Sequence, residues 1–265
     1  MKQRILTALV AIPLLVLVIT LAPRPWFGGI VMILAGWGLF EFYSICLPQQ
    51  RGLEKGLAIL AGSLLVWLPQ WQKSGLPWGI WVLLFILAAI LFLLRFQDLQ
   101  TVINHLGLVF LGFLYIPLLL GHLNLLIDLP NGRKWIFLAL AAVMINDSAA
   151  YFVGSSLGRH RLYPAISPKK SWEGLAGGMA GSMSAVVLAK VIFFPSLKPI
   201  DCLAISLLLG VLGPLGDLFE SLIKRSYGVK DSGSAIPGHG GLLDRLDSLL
   251  FAFPAVYYYA RLVAA

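Results

Sequence analysis

Long apolar runs separated by short polar breaks dominate the chain. Runs near 5–22, 27–47, 53–70, 78–95, 104–126, 134–157, 174–195, 200–217 and 242–264 each approach the roughly 20 residues a helix needs to cross hydrocarbon, the third being the weakest. The breaks carry turn and helix-stop residues: Pro23 and Pro25, Pro48 with Gln49 and Gln50, Pro69, Pro130 with Asn131 and Gly132, then Pro195 and Pro199. Trp26, Trp71, Trp78, Trp135 and Trp172 fall near run ends, where aromatic belts form at the membrane surface. The pattern predicts an all-α, polytopic helical membrane protein with about nine transmembrane helices. It reads as one integral membrane domain, with 1–133 as scaffold and 134–265 carrying the chemistry on polar loops at 158–173 and 218–241.

Composition supports lipid as the solvent. Of 265 residues, 59% are hydrophobic and 12% charged, against about 25% charged in soluble domains. So much apolar surface does not fit inside one small water-soluble core. Net charge is +8, and no soluble basic face exists to dock on a duplex, so nucleic acid is not an expected partner. Cys46 and Cys202, far apart in apolar sequence, read as small core residues. The first run lacks a convincing small-residue cleavage site and reads as a retained span.

The basic residues set an expected orientation. With the N-terminus inside, Lys2, Arg4, Arg51, Lys55, Arg95, Arg159, Arg161, Lys169, Lys170, Lys224, Arg225 and Lys230 fall on the cytoplasmic side. Arg24, Lys73, Arg133, Lys134, Lys198 and Arg261 fall opposite, while Lys190 and Arg245 lie within runs. Twelve against six favours this orientation. It predicts a multi-pass protein of the cell (inner or plasma) membrane with its chemistry facing the cytoplasm.

Carboxylates are unevenly spread. Glu41, Glu54, Asp98 and Asp128 are the only ones before Asp147, and the other eight lie between Asp147 and Asp247. Residues 217–247 concentrate charge beside apolar sequence such as LLDRLDSLLFAF, where each charge costs roughly 2.5–3.5 kcal/mol on insertion scales. Asp244 and Asp247 share one helix face, and Asp217 ends the preceding run, so the intervening segment can bring all three together. Converging carboxylates repel unless a cation joins them, and hard oxygen ligands favour Mg²⁺. The competing reading is simple ion pairing of this group with Lys224 and Arg225. Lys224, Arg225 and Lys230 offer positive charge for phosphates. Gly238, Gly240 and Gly241 precede a helix start, where free N–H groups can cradle an anion. His239 could bind phosphate, move a proton or fasten the turn.

A second polar island runs from Asn146 and Asp147 through Arg159, His160 and Arg161 to the SPKKSWEG stretch at 167–174. Asp147, inside an apolar run, is a functional candidate, unless Asn146 or a nearby base simply satisfies it. Lys169 and Lys170, ahead of a helix start, suit a polyphosphate or are ordinary loop charge. Gly174, Gly177, Gly178 and Gly181 form overlapping GxxxG patterns, read as close helix packing. The chain lacks GxxxxGK[ST], GxSxG and HExxH, which argues against P-loop, serine-hydrolase and zinc-protease chemistry.

Ser221 to Asp247 resembles the signature of the phosphatidate cytidylyltransferase family. That signature runs Ser, any, hydrophobic, Lys-Arg, four residues, Lys-Asp and, further on, His-Gly-Gly, hydrophobic, any, Asp-Arg, hydrophobic, Asp, matched here without a gap. The 147–154 and 167–174 stretches are similar too, with Ser171 where Thr is more usual. The resemblance implies a homodimeric membrane enzyme that needs Mg²⁺ and joins CTP or dCTP to phosphatidate. On the matched positions, Asp217, Asp244 and Asp247 would hold the metal. Lys224, Arg225 and Lys230 would hold phosphates, with Lys224 and Arg225 beside the reacting centre. Ser221, Asp231, His239, Arg245, Lys169, Lys170 and Asp147 complete the candidate substrate contacts. The rival readings are a CTP-dependent transferase or kinase acting on another lipid, such as an archaeal ether lipid or a polyprenol, or a transporter.

Overall fold

A computed structural model describes residues 2–70, 76–95, 98–234 and 240–264. Every apolar run is helical. Helices α1 (Lys2–Leu21), α2 (Arg24–Cys46), α3 (Gly52–Leu65), α4 (Leu76–Leu94), α5 (Val102–Phe113), the short α6 (His122–Leu126), α7 (Gly132–Leu157), α8 (Trp172–Ile192), α9 (Pro199–Ser226) and α10 (Leu243–Ala264) follow in chain order. Among the described residues six stretches are long and apolar enough to cross a membrane: Arg24–Cys46, Gln49–Gln70, Val102–Leu126, Gly132–Leu157, Trp172–Ile192 and Pro199–Ser226. Shorter apolar helical stretches cover Ala11–Leu21 and Trp78–Leu94. Helix α10 carries Asp244, Arg245 and Asp247 in its first two turns.

Two differences from the sequence reading matter. The eighth run does not end at 217: α9 continues to Ser226 and carries Asp217, Glu220, Ser221, Lys224 and Arg225 on a helix rather than a loop. It stops at Gly228, whose φ of 70° is costly for other residues. There the N–H of Gly228 meets the Arg225 carbonyl at 3.1 Å and that of Val229 meets the Lys224 carbonyl at 3.0 Å, the paired bonds of a Schellman stop. Second, the 158–173 segment contains a small antiparallel ribbon, β1 (Arg161–Tyr163) with β2 (Ser167–Ser171). Ser171 ends β2 and caps α8, accepting the Gly174 N–H at 3.1 Å. Glu173, in the first turn of α8, accepts the N–H of Arg159 at 3.1 Å and pairs with His160 Nδ1 at 2.6 Å. The base of the ribbon is therefore fastened to the helix it precedes.

The chain forms two compact units, one of 1–21 with 126–265 and one of 22–125. In the second, Tyr43 on α2 donates to the Val109 carbonyl of α5 at 2.8 Å, passing Gly112, where any side chain would collide with the ring. Arg51, expected as a loop charge, is 1% exposed. Its Nε donates to His105 Nδ1 at 3.0 Å, its guanidinium pairs with Glu54 at 3.4 Å, and it stacks 4.8 Å from the centre of the Phe92 ring. Arg95 reaches the same Glu54 oxygen at 3.4 Å. These contacts tie the ends of α3, α4 and α5 together.

The first unit is built on α7 through α10. The glycines of α8 do what close packing requires. A Cβ on Gly178 would stand 2.7 Å from Asn146 Oδ1, and one on Gly181 3.0 Å from the Ile145 carbonyl. At Gly174 it would lie 2.9 Å from the Ala150 carbonyl. Gly210 of α9 lies against Met179 of α8 in the same way. Where α9 crosses α10, Gly216 presses on the Asp247 carbonyl, leaving no room for a Cβ. Cys46 and Cys202 are both buried.

Candidate active site

The glycine contacts bring three carboxylate-bearing helices together around one centre. Asp217 projects from α9, Asp247 from α10 and Asp147 from α7. Asp247 lies within electrostatic range of Asp217, Glu220 and Asp147, and Asp147 within range of Asp217, Lys170 and Arg245. Asn146 does not satisfy Asp147. Its amide is buried against Gly178, and among the described residues neither its Oδ1 nor its Nδ2 has a hydrogen-bond partner.

Lys170 enters this centre from β2. Its Nζ meets Asp217 Oδ2 at 2.7 Å and the Pro214 carbonyl at 3.4 Å. Ser221, one turn further along α9, donates to Asp217 Oδ1 at 3.3 Å. Lys169, the next residue but on the opposite face of the strand, points outward and is exposed, and its carbonyl takes Arg161 at 3.3 Å. The sequence assigned the two lysines one role; strand alternation gives them different surroundings.

Asp244 is committed elsewhere. Its Oδ1 meets Lys224 Nζ at 2.5 Å, and its Oδ2 accepts the N–H of Ser232 at 3.0 Å and of Gly241 at 2.9 Å. Lys224 also meets Glu220 Oε2 at 2.7 Å, one turn back on α9. The ion-pairing alternative thus accounts for Asp244 and Lys224, while Asp217 and Asp247 stay beside each other at the centre. Gly240, with φ of 84°, turns the chain where a Cβ would lie 2.8 Å from Asp244 Oδ2.

Arg225 sits at the periphery. It is exposed, with Nη1 on the Val229 carbonyl at 3.0 Å and Nε on the Ile166 carbonyl at 3.4 Å, so it links the end of α9 to the ribbon turn. Lys230, Asp231 and Arg245 are exposed. Gly238 and His239 lie outside the described residues. Glu220, which the sequence reading did not assign to the site, is buried between Lys224 and the centre; its spacing of four from Lys224 was a legible signal.

Among the described residues no three histidine, cysteine or carboxylate side chains stand ready to enclose a metal ion. The donor chemistry nonetheless suits a hard cation that keeps waters and takes few protein ligands. Asp217 and Asp247 are both carboxylates, and a third, Glu220, lies buried beside Asp247.

A clustered set of carboxylates and a lysine, set in a bundle of apolar helices, fits a membrane enzyme that handles phosphate groups. The cytidylyltransferase family matches residues 2–263, and the chain belongs to that family. It is 37% identical over 268 residues to the phosphatidate cytidylyltransferase of Bacillus subtilis (strain 168), covering 97% of both chains. It is 34% identical over 269 residues to that of Staphylococcus aureus (strain COL) and 32% identical over 267 residues to that of Staphylococcus saprophyticus, covering 96% of each.

Proposed function

We infer that the chain is a phosphatidate cytidylyltransferase, joining CTP to phosphatidate to give CDP-diacylglycerol and pyrophosphate. The observation that carries the reading is that Lys224 and Arg225 stand on one helix and Asp244, Arg245 and Asp247 on a second that crosses it, while Lys170 reaches the same centre from another element. A phosphate oxygen of phosphatidate attacks the α-phosphorus of CTP. The bond from that phosphorus to the bridging oxygen breaks, and its electrons leave with pyrophosphate. The attacking phosphate is already ionised near neutral pH, so neither a general base nor a covalent enzyme intermediate is needed. The task is to neutralise charge and align the attack.

Lys170 brings a positive charge to Asp217 and, with nucleotide bound, can share it with phosphate oxygens. Asp217 and Asp247 would hold Mg²⁺, and Asp244 would join them only on releasing Lys224. When bound, the ion would draw phosphate oxygens together and offset their charge. Lys169, Lys230 and Arg245 are exposed and add positive charge that attracts an anionic nucleotide. The reading extends to dCTP as an alternative nucleotide, to a homodimer, and to a centre facing the cytoplasm, where CTP is found. The test is purified protein with CTP, Mg²⁺ and phosphatidate: pyrophosphate and a cytidine-containing lipid should appear in equal amounts. Pyrophosphate released without phosphatidate, or none with it, would sink the assignment.

A further inference from the structure

Glu220 has no part in the reaction as set out above, yet it is placed as though it had one. It lies on a helix long and apolar enough to cross the bilayer and is 1% exposed. A buried carboxylate is costly unless paired, and here Oε2 is paired with Lys224 at 2.7 Å while the carboxyl group also lies against the Asp247 side chain. Lys224, itself 8% exposed, continues to Asp244 Oδ1 at 2.5 Å. Asp244 in turn holds the backbone N–H groups of Ser232 and Gly241 at 3.0 and 2.9 Å, and its own N–H donates to Ser232 Oγ at 3.3 Å. One continuous line of charge-assisted contacts thus runs from α9, through the first turn of α10, to the backbone at Ser232 and Gly241.

The line has an alternative that Glu220 blocks. A lysine ammonium is a point charge on a flexible stem, and Asp247 offers a further carboxylate beside Glu220. With Asp244 as its sole anchor, the ammonium would be free to turn to it. Glu220, four residues earlier on the same helix, fixes it on the Asp244 side.

Resting on the reading of Asp217 and Asp247 as the reaction centre, we propose that Glu220 is a positioning residue. It holds Lys224 against Asp244, keeps that cation off Asp247, and so keeps Ser232 and Gly241 pinned beside α10. Its part is to orient another side chain; it touches no substrate.

The experiment is hydrogen exchange at Ser232 and Gly241 in the full-length protein in nanodiscs, with pyrophosphate release measured in parallel. Glu220→Ala should speed exchange at both amides about tenfold, the effect of losing roughly one charge-assisted hydrogen bond, and lower kcat. Lys224→Ala should do the same, and the double variant should go no further, because the two act in series. Should Glu220→Ala fail to insert, Glu220→Gln keeps the volume and removes the charge; exchange should then rise by less than tenfold but clearly above the parent. Unchanged protection in the inserted variant, or additive effects in the double variant, overturns the proposal. A parent protein that released no pyrophosphate would instead overturn the assigned activity and leave the exchange result standing.

Discussion

Lys170→Ala is the most informative single substitution. Lys170 is the cation bonded directly to Asp217, at 2.7 Å, and both side chains are about one-quarter to one-third exposed. Removing it leaves Asp217, among the described residues, with the Ser221 hydroxyl and beside the carboxylates of Asp247 and Asp147. A hydrogen bond to a charged group contributes about 1.5–3 kcal/mol. If that contribution is made in the transition state, kcat falls by about 10- to 150-fold, since each 1.36 kcal/mol is tenfold. Lys169→Ala, on the opposite face of the same strand, should leave kcat in place and raise the KM for CTP modestly, more so at high salt. Steady-state pyrophosphate release at varied CTP separates the two. A Lys170→Ala protein with the parent kcat and only a raised KM would refute the placement of Lys170 at the reacting centre.

Other outcomes follow from the same geometry. Asp217→Asn and Asp247→Asn should each reduce turnover by at least a hundredfold while the protein still extracts as a folded species; near-normal turnover at ordinary Mg²⁺ removes that residue from the proposed ion site. Gly178→Leu should cost about 1–3 kcal/mol by overpacking α7 against α8, where a Cβ already stands 2.7 Å from Asn146 Oδ1; unfolding in detergent at an unchanged denaturant concentration would contradict that closeness. A cysteine at Ala165, in the exposed ribbon turn, should resist membrane-impermeant thiol reagents in intact cells and react after lysis. Labelling in intact cells would place the ribbon on the outer face and separate the site from CTP.

The existence of the helices was legible because spans need continuous apolar sequence, which nothing else in a chain of this composition explains. The end of α9 was not, because Asp217, Glu220, Lys224 and Arg225 break the hydropathy just where the helix keeps going. Their spacing of three, four and one, closed by Gly228, was the better guide: it puts the acids and Lys224 on one face and a stop signal after them. The ribbon at 161–171 is too short, and too rich in proline and lysine, to register as strand. Its consequence, Lys170 against Asp217, joins residues 47 positions apart and has no local signature. The aspartates of α10 were visible as a pair, but not that Asp244 turns to Lys224 and the backbone while Asp247 faces Asp217. That division depends on how α9 and α10 cross, and the small residue that sets the crossing, Gly216, reads in isolation as any other glycine.

That crossing also bears on how the protein tolerates different bilayers. Membranes vary in thickness, and helices answer a mismatch by tilting. Tilt spreads the ends of neighbouring helices apart, but it leaves their separation almost unchanged at the point about which they pivot. Because Gly216 rests on the Asp247 carbonyl, directly beside Asp217 in the chain, the pivot coincides with the acids themselves. A change in lipid length would therefore be absorbed towards the far ends of α9 and α10, and the gap between the two carboxylates would stay fixed as the surrounding membrane thickens or thins.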